Sequence, residues 1–286
     1  MIRGYIMSIE LPEAIILAQQ MDKELRRKRI KSYQLQDYEK LQRIGMLNKD
    51  INDFDQLVDR EIERVVSRGN VVHVKLNNGT NLILGPEYGG EIFYHRSQDL
   101  GSQKYHLRVD FSDNTVLTIR LTSMGVIQAL QDDALDSSYV YKRDFNPEKP
   151  SPLEDDFTVE RFTRLLEDNK KMLKPVLVGK DAIVVGLSNS AFQDIMFQAR
   201  LHPKRKGSEL NQGERRTLYD AIKFVMQERI RLNGKAQFID LYQNQGGYTP
   251  AMGPNMKQQP CVVCGTAIEK LSLGGGHIYY CPKCQQ

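Results

Sequence analysis

All four cysteines of the chain lie in its last 26 residues and form two Cys-x-x-Cys pairs separated by sixteen residues. Two thiolate pairs on tight turns can close a tetrahedral shell around one zinc ion, and a β-hairpin fits between them. The glycines at 274–276 offer the turn of such a hairpin. We therefore predict one structural zinc ion, with two disulfides as the alternative. The predicted ligands are Cys261, Cys264, Cys281 and Cys284.

Length and composition predict an ordinary globular protein. With 286 residues, the chain has room for two domains and a small additional module. No window approaches the roughly 18 uninterrupted apolar residues of a membrane span. Residues 1–8 lack the features of a secretory signal. We therefore expect a cytoplasmic protein that does not bind membranes, associated with the nucleoid if it is prokaryotic.

The charge distribution permits nucleic-acid binding without requiring it. The formal net charge is only +4. Basic residues cluster at 26–29 and at 204–206, just after His202 and Pro203. A solvated helix face explains the first cluster at least as well as a phosphate contact does, and we favour that interpretation.

Hydrophobic periodicity predicts two structurally different halves. Apolar residues predict a helix from Pro12 to about Arg29, and alternation between Glu61 and Leu130 predicts an antiparallel sheet or sandwich. The prolines in 144–152 indicate a linker. Beyond it the pattern is helical as far as Asn233 and Gly234. We predict an α+β fold with domains at 1–150, 151–248 and 249–286.

Three segments resemble one family of enzymes. The cysteine-containing tail is similar to the zinc finger that ends bacterial formamidopyrimidine-DNA glycosylases. Residues 174–203 resemble that family's helix-two-turn-helix, and residues 10–13, Glu-Leu-Pro-Glu, resemble its N-terminal signature. The chain is thereby identified as a divergent member of the formamidopyrimidine-DNA glycosylase and endonuclease VIII family. The resemblance implies an N-terminal antiparallel β-sandwich with flanking helices, a helix-two-turn-helix domain and a four-cysteine zinc finger.

The resemblance also implies site residues. Glu10 matches the catalytic glutamate, and a carboxylate facing an extruded nucleotide can act as general acid or base; the alternative is a carboxylate at a helix N-terminus. Glu13 is better explained by that alternative. Residues expected to contact DNA are Lys174, Asn189, Tyr88, Met124, Lys204 and His277, with Tyr88 and Met124 near the positions of the family's wedges, and Asp194 stands where the family usually has glutamate.

Several positions depart from the family pattern. The family places a proline, or another residue with a free α-amine, before the residue that matches Glu10, but here Ile9 precedes it. An amide nitrogen cannot act as the nucleophile. A chain that began at Met7 and lost it would expose the amine of Ser8, one residue out of register. Asn70 replaces the family's hairpin lysine, and the usual finger arginine aligns with Gly276.

The sequence thus predicts a monomeric DNA glycosylase of base-excision repair, acting on duplex DNA that contains damaged bases or abasic sites. Its AP-lyase activity is expected to be weak or absent, because the amine is not matched. One alternative is a non-catalytic protein that recognises damaged DNA on the same scaffold. Another is a zinc ribbon that binds RNA or a protein.

Overall fold

The computed structural model describes residues 9–86 and 89–286. The chain divides into two compact units. The first contains the described residues up to Asn146 together with Ala236–Gly247, and the second contains Pro147–Lys235 and Tyr248–Gln286.

The described residues of the first unit form three helices and two antiparallel sheets. The helices are α1 (Leu11–Leu25), α2 (Tyr38–Arg43) and α3 (Tyr139–Asp144). The strands are β1 (Ile30–Leu35), β2 (Ile62–Arg68), β3 (Val71–Leu76), β4 (Thr80–Gly85), β5 (Gly90–His95), β6 (Leu107–Phe111), β7 (Val116–Leu121) and β8 (Val126–Gln131). Short 3-10 helices span Ile51–Leu57 and Asp132–Ser137.

The two sheets enclose the core of this unit. Their strand orders are β1-β6-β7-β5 and β2-β3-β4-β8, and all neighbouring strands are antiparallel. Alternate residues of both sheets, such as Val109 and Val74, belong to one buried cluster with Leu17 and Met21 of α1. Since the side-chain period of a strand is two, this packing explains the alternation in the sequence. The predicted β-sandwich with flanking helices is confirmed.

The first helix ends four residues earlier than the sequence pattern indicates. It stops at Leu25, and Arg27 has a left-handed φ of +67°. The backbone N–H of Arg27 donates to the Ile62 carbonyl at 2.8 Å, and the N–H of Ile62 donates to the Lys28 carbonyl at 3.0 Å. These bonds to the start of β2 replace the helical ones. The prediction of a helix to about Arg29 is therefore wrong at its end.

Residues 236–247 lie in the first unit, although the sequence pattern places them in a helical domain that spans 151–248. Phe238 and Leu241 are fully buried in the sandwich core. The backbone N–H of Tyr94 donates to the Leu241 carbonyl at 3.1 Å, and the Gln20 amide donates to Asp240 at 2.9 Å. Burial of these two large apolar side chains explains why the segment packs on the sandwich.

The second unit is helical except for a hairpin near the C-terminus. Its helices are α4 (Val159–Glu167), α5 (Leu173–Leu177), α6 (Asn189–Gln198) and α7 (Gln212–Arg231), with 3-10 turns at Gly207–Glu209 and Pro254–Met256, and its strands are β9 (Glu269–Leu273) and β10 (Gly276–Tyr280). Gly274 and Gly275 form a two-residue loop with φ of +53° and +75°. Such a loop requires left-handed residues, so the predicted glycine turn is confirmed.

The finger packs directly on α6. Phe197 of that helix shares a buried cluster with Met252, Cys261, Tyr279 and Cys281. The compact unit therefore includes the finger with the helices, whereas the sequence suggested a separate module at 249–286.

Among the described helices, none combines the length and apolarity that crossing a bilayer requires.

Candidate nucleic-acid interface and zinc centre

The four cysteine sulfurs converge on one point. Their Sγ atoms all lie within 4.8 Å of one another, with 3.5 Å between Cys264 and Cys281 and 3.9 Å between Cys261 and Cys284. A tetrahedral zinc ion with Zn–S bonds of about 2.3 Å requires sulfurs about 3.8 Å apart. A disulfide requires about 2.05 Å. The donor set therefore fits zinc and excludes the disulfide alternative in this conformation.

Hydrogen bonds hold the two cysteine turns in place. The Thr266 side chain and backbone both interact with Cys264 and lower the pKa of its thiol to about 6, which favours its thiolate. Burial raises the pKa of the Cys281 thiol, and the hydrogen bond with Cys264 raises that of Cys284. The Cys281 N–H donates to the Gln285 side chain at 2.9 Å, and the amide of Gln285 donates to the Leu201 carbonyl at 3.0 Å. The second pair is thus attached to the segment that follows α6.

Gln193 connects the hairpin to the N-terminal end of α6. Its buried side-chain oxygen accepts the N–H of Tyr279 at 2.8 Å, and its amide donates to the Asn189 carbonyl at 3.1 Å. One side chain therefore fixes the position of β10 relative to the first turn of the helix. Sequence reasoning missed this residue because a polar side chain on a helix is exposed by default.

Lys174 and Asn189 meet at the hairpin loop. Lys174 is 6% exposed, and its ammonium donates to the carbonyls of Leu273 and Gly274. Burial lowers the pKa of Lys174. The Asn189 amide lies 3.4 Å from the His277 carbonyl. A Cβ built on Gly276 would lie 3.5 Å from the Lys174 Nζ and 3.7 Å from the Asn189 Nδ2.

This corner, formed by Lys174, Asn189 and the loop between β9 and β10, suits an anion. It combines a cation, an amide donor and the N-terminal end of a ten-residue helix. The Ser188 hydroxyl already accepts the N–H groups of Ser190 and Ala191, so an anion would depend mainly on the side chains of Lys174 and Asn189. The exposed His277 belongs to the same loop. Three of the predicted DNA-contacting residues are therefore neighbours.

Lys204 lies apart from that corner, on the segment between α6 and α7. It is exposed. The neighbouring cations are engaged with carboxylates, Arg205 with Glu214 at 2.9 Å and Lys206 with Glu209 at 3.2 Å. Lys204 is therefore the member of this cluster whose charge is most available to a partner.

Asp194 of α6 lies in a buried polar network. Its carboxylate accepts the hydroxyl of Tyr248 and the N–H of Ala251 at 3.0 Å. Burial raises the pKa of Asp194 despite these donors. The fully buried Arg229 lies 5.4 Å from the centre of the Tyr248 ring and donates to the Ser190 hydroxyl at 3.3 Å.

Sequence reasoning missed Arg229 and Tyr248. The signal for Arg229 was present, because it follows Val225 and Met226 by four and three residues and so lies on the apolar face of α7. A charged residue at that spacing indicates a buried polar contact. No comparable signal marks Tyr248.

In the first unit, Glu10 is fully buried and precedes α1 as its N-cap residue. The Glu13 carboxylate accepts the Glu10 N–H at 3.2 Å, as expected of a capping residue. Ile9, which replaces the amine-bearing residue, is also buried. The predicted roles of Ser8, Met7 and Tyr88 concern positions outside the described residues.

The β2–β3 turn carries Asn70 in place of a lysine. Gly69 has a φ of +56°, and the Asn70 N–H donates to the Asp144 carboxylate at 2.9 Å. The Asn70 side-chain oxygen is buried and has no hydrogen-bond partner among the described residues. An uncharged side chain thus occupies this position.

Met124 lies in the loop between β7 and β8 and is 62% exposed, as a wedge residue must be.

The basic cluster at 26–29 is used within the protein. Arg26 pairs with Asp22 at 2.6 Å, and Lys28 pairs with Asp113. The Arg29 guanidinium donates to the Asp59 carbonyl at 2.8 Å. Because α1 ends at Leu25, this cluster does not lie on a helix face as predicted. Three of its cations contact groups of the protein itself, so the cluster does not require a phosphate partner.

Comparison with known families gives three matches along the chain. Residues 9–122 match the formamidopyrimidine-DNA glycosylase N-terminal domain, and residues 149–239 match the formamidopyrimidine-DNA glycosylase H2TH domain. Residues 258–286 match the zinc finger found in FPG and IleRS. The last match and the sulfur geometry together confirm the prediction of one structural zinc ion.

Relatives named as formamidopyrimidine-DNA glycosylases match most of the chain. A formamidopyrimidine-DNA glycosylase of Streptococcus pneumoniae is 28% identical over 284 residues, which cover 97% of this chain and 98% of the relative. One from Pelotomaculum thermopropionicum is 29% identical over 242 residues, 83% of this chain and 86% of the relative. The structure of Lactococcus lactis Fpg with DNA containing N7-benzyl-Fapy-dG superposes with a TM-score of 0.83 at 22% identity, covering 97% and 99% of the two chains.

A β-sandwich unit joined to a helix-two-turn-helix and a four-cysteine finger defines the class of zinc-finger DNA glycosylases. The order of the three matched segments and the nearly complete coverage then specify the family. The chain belongs to the formamidopyrimidine-DNA glycosylase family.

Proposed function

We propose that this protein is a DNA glycosylase of base-excision repair that removes damaged bases from duplex DNA. The observation that carries this proposal is the convergence of Lys174 and Asn189 on the finger loop, within 4 Å of the position of a Gly276 Cβ. A cation and an amide donor held on rigid elements suit a DNA phosphate. The relatives are named as glycosylases, and the similar structures contain damaged or abasic DNA.

The zinc finger has a structural role in this proposal. Four thiolates leave no open position for water on the metal, so zinc would hold the hairpin in shape. Gln193 and Gln285 then transmit that shape to α6 and to the segment beyond it. Lys204, Asn189, Lys174 and His277 would supply the contacts to the DNA backbone.

Glu10 is the proposed catalytic residue. A damaged base must leave the stack before it can be attacked, and Met124, with Tyr88, would fill the gap. The Glu10 carboxylate would take a proton from a water molecule whose oxygen attacks the anomeric carbon of the sugar, while the glycosidic bond breaks and the base leaves with the bonding electrons. The protonated Glu10 would then return that proton to the departing base. Because the nitrogen of Ile9 is part of an amide, it cannot form the imine that strand cleavage by elimination requires. We therefore propose hydrolytic base release with weak or absent AP-lyase activity.

A panel of lesions tests the activity. The full chain is incubated with duplexes that carry an oxidised purine, an oxidised pyrimidine, an alkylated base or an abasic site, with and without borohydride. We expect free base from at least one duplex and no borohydride-trapped adduct. Tight binding without base release would favour a non-catalytic damage-recognition protein. A trapped adduct would refute the absence of an amine nucleophile.

Substitution of the glutamate tests its role. Glu10→Gln preserves the size of the side chain and removes the carboxylate, so base release should be lost while duplex binding remains. Glu63→Gln, an exposed carboxylate on β2, is the matched control and should leave activity unchanged. Quantification of released base and an unfolding curve for each variant provide the readout. Full activity in Glu10→Gln would place the catalytic group elsewhere.

The cellular location follows from the substrate. The similar glycosylases come from bacteria, where DNA lies in the cytoplasm. We propose a cytoplasmic, nucleoid-associated enzyme on that ground.

A further inference from the structure

The helix α1 and the strand β2 pack side by side in the first unit and run in opposite directions. At one level, the backbone N–H of Arg27 donates to the Ile62 carbonyl at 2.8 Å. Further along the strand and further back along the helix, the backbone N–H of Val65 donates to the Asp22 carboxylate at 2.7 Å. The start of α1 and the end of β2 therefore point to the same end of the unit.

Glu10 and the β2–β3 turn lie at that shared end. From the Asp22 contact, Glu10 lies about 18 Å back along the helix, and Asn70 lies about 17 Å further along the strand and its turn. The neighbours of these two residues in the sequence, Ile9 and Val72, belong to the same buried cluster. The fold thus brings the proposed catalytic carboxylate and Asn70 to one level of the sandwich.

The turn that carries Asn70 is held firmly from the other side. Gly69 has a left-handed φ of +56°, and a Cβ at this position would come within 2.5 Å of the Asp144 Cγ, so only glycine fits. The backbone N–H of Asn70 donates to the Asp144 carboxylate at 2.9 Å. The Arg68 guanidinium donates to the carbonyls of Asp144 and Asn146, both at 2.7 Å. The backbone of the turn is therefore fixed without the Asn70 side chain.

The side chain of Asn70 presents an unused acceptor. Its Oδ1 is buried and has no hydrogen-bond partner within residues 9–86 and 89–286. Burial of an acceptor without a donor destabilises the folded chain, and native proteins rarely retain such a group unless it serves another purpose. A ligand that brings its own O–H or N–H group would satisfy this oxygen.

We propose that Asn70 positions the water molecule that attacks the sugar. This inference rests on the proposed function, in which Glu10 takes one proton from that water. The second O–H of the same water would donate to the Asn70 Oδ1, so that a lone pair of the water oxygen is directed at the anomeric carbon. The proton shared with Asn70 stays on the oxygen and becomes the hydroxyl hydrogen of the abasic sugar. Asn70 exchanges no proton and is a positioning residue.

Competition between water and methanol tests this arrangement, because methanol has a single O–H. A methanol molecule that gives its proton to Glu10 would turn its methyl group towards the Asn70 Oδ1, where the site requires a donor. The lesion duplexes of the activity panel are incubated with excess protein, with and without methanol, and the abasic and methyl-glycoside products are quantified by mass spectrometry. The wild-type protein should form almost only the abasic product. Asn70→Ala should increase the proportion of methyl glycoside about tenfold, the equivalent of one lost hydrogen bond.

Three variants separate positioning from a structural role of the side chain. Asn70→Ala should release base about tenfold more slowly, with unchanged duplex affinity. Its midpoint of unfolding in urea should not fall, because the lost oxygen has no partner in the free protein. Asn70→Asp retains an acceptor oxygen and should restore the preference for water. Asn52→Ala, at an exposed residue of the 3-10 helix Ile51–Leu57, is the matched control and should behave as the wild type.

The possible results distinguish the inference from the function on which it rests. Failure of the wild-type protein to release base from any duplex would refute both. Base release by the wild type with the same product ratio in Asn70→Ala, including no methyl glycoside from either protein, would refute only the inference. A lower urea midpoint or weaker duplex binding in Asn70→Ala, with an unchanged product ratio, would make Asn70 a structural or DNA-contacting residue instead.

Discussion

Addition of one cation at the finger loop tests the proposed phosphate site most directly. Gly276 stands where the family's finger has arginine, and unlike Gly274 and Gly275 it does not have a left-handed φ. A Cβ at this position would contact Lys174 and Asn189 at 3.5 and 3.7 Å, which are ordinary van der Waals distances. Gly276→Arg should therefore be tolerated and should place a guanidinium beside Lys174.

The expected change in the salt dependence of DNA binding follows from the added positive charge. With no DNA present, two cations about 7 Å apart in water repel by about 0.6 kcal/mol. A phosphate bound between them more than offsets this, and one further phosphate contact steepens the slope of log K against log salt by about 0.9. The affinity ratio of Gly276→Arg to wild type should then rise about 3.5-fold when salt falls from about 200 to 50 mM.

The assay is fluorescence anisotropy with an abasic duplex over that salt range. Gly276→Gln has a similar reach without the charge and serves as the matched control; its ratio to wild type should not vary with salt. If Gly276→Arg and Gly276→Gln show the same salt dependence, the loop does not face a phosphate. The assignment of Lys174 and Asn189 to DNA binding would then be wrong.

Two further changes test the supports of that loop. Cys281→Ser should release zinc to a chelating dye and weaken duplex binding, while the unfolding transition of the first unit remains. The control Val262→Ala, at a residue that is 70% exposed in the first cysteine turn, should retain the metal. Tight duplex binding by the metal-free variant would contradict the role of the finger. Tyr248→Phe should lower the free energy of unfolding, measured in urea, by about 1–3 kcal/mol, because the buried Asp194 loses a hydrogen-bond donor. The control is Tyr242→Phe, because the Tyr242 hydroxyl contacts Glu24 at the surface; this change should alter the free energy of unfolding by at most about 0.5 kcal/mol. Burial holds the pKa of Asp194 in the folded wild type above its ordinary value of 3.8, and loss of the Tyr248 hydroxyl should raise that pKa further. Because the unfolded state is the same for both proteins, the deficit should be constant at low pH and should grow only as pH rises from the folded wild-type pKa to the higher folded pKa of the variant. A deficit independent of pH would mean that Asp194 is not the group affected.

Features encoded in short stretches were predictable from the sequence. The zinc ligands follow from two Cys-x-x-Cys turns, and the sandwich follows from alternation within single strands. The glycine loop of the hairpin is equally local. Each of these depends on neighbours within a few residues, so one sequence is enough to identify it.

Contacts between distant segments were not predictable in this way. Lys174 reaches a carbonyl 99 residues further along the chain, and Tyr248 reaches Asp194 across 54 residues. Only the packing of the hairpin on α6 brings the first pair together. The return of residues 236–247 to the sandwich is of the same kind, because the burial of Phe238 and Leu241 depends on a surface formed by other strands.

The departures from the family pattern affect different steps of the reaction. Elimination requires an amine, which the Ile9 amide cannot provide, whereas hydrolysis requires only a carboxylate and water, which Glu10 can serve. The changes at Asn70 and Gly276 remove cations that would contact DNA, yet Lys174 and Asn189 are held by a zinc-bound hairpin and by Gln193. Base release and DNA binding can therefore persist when strand cleavage is lost.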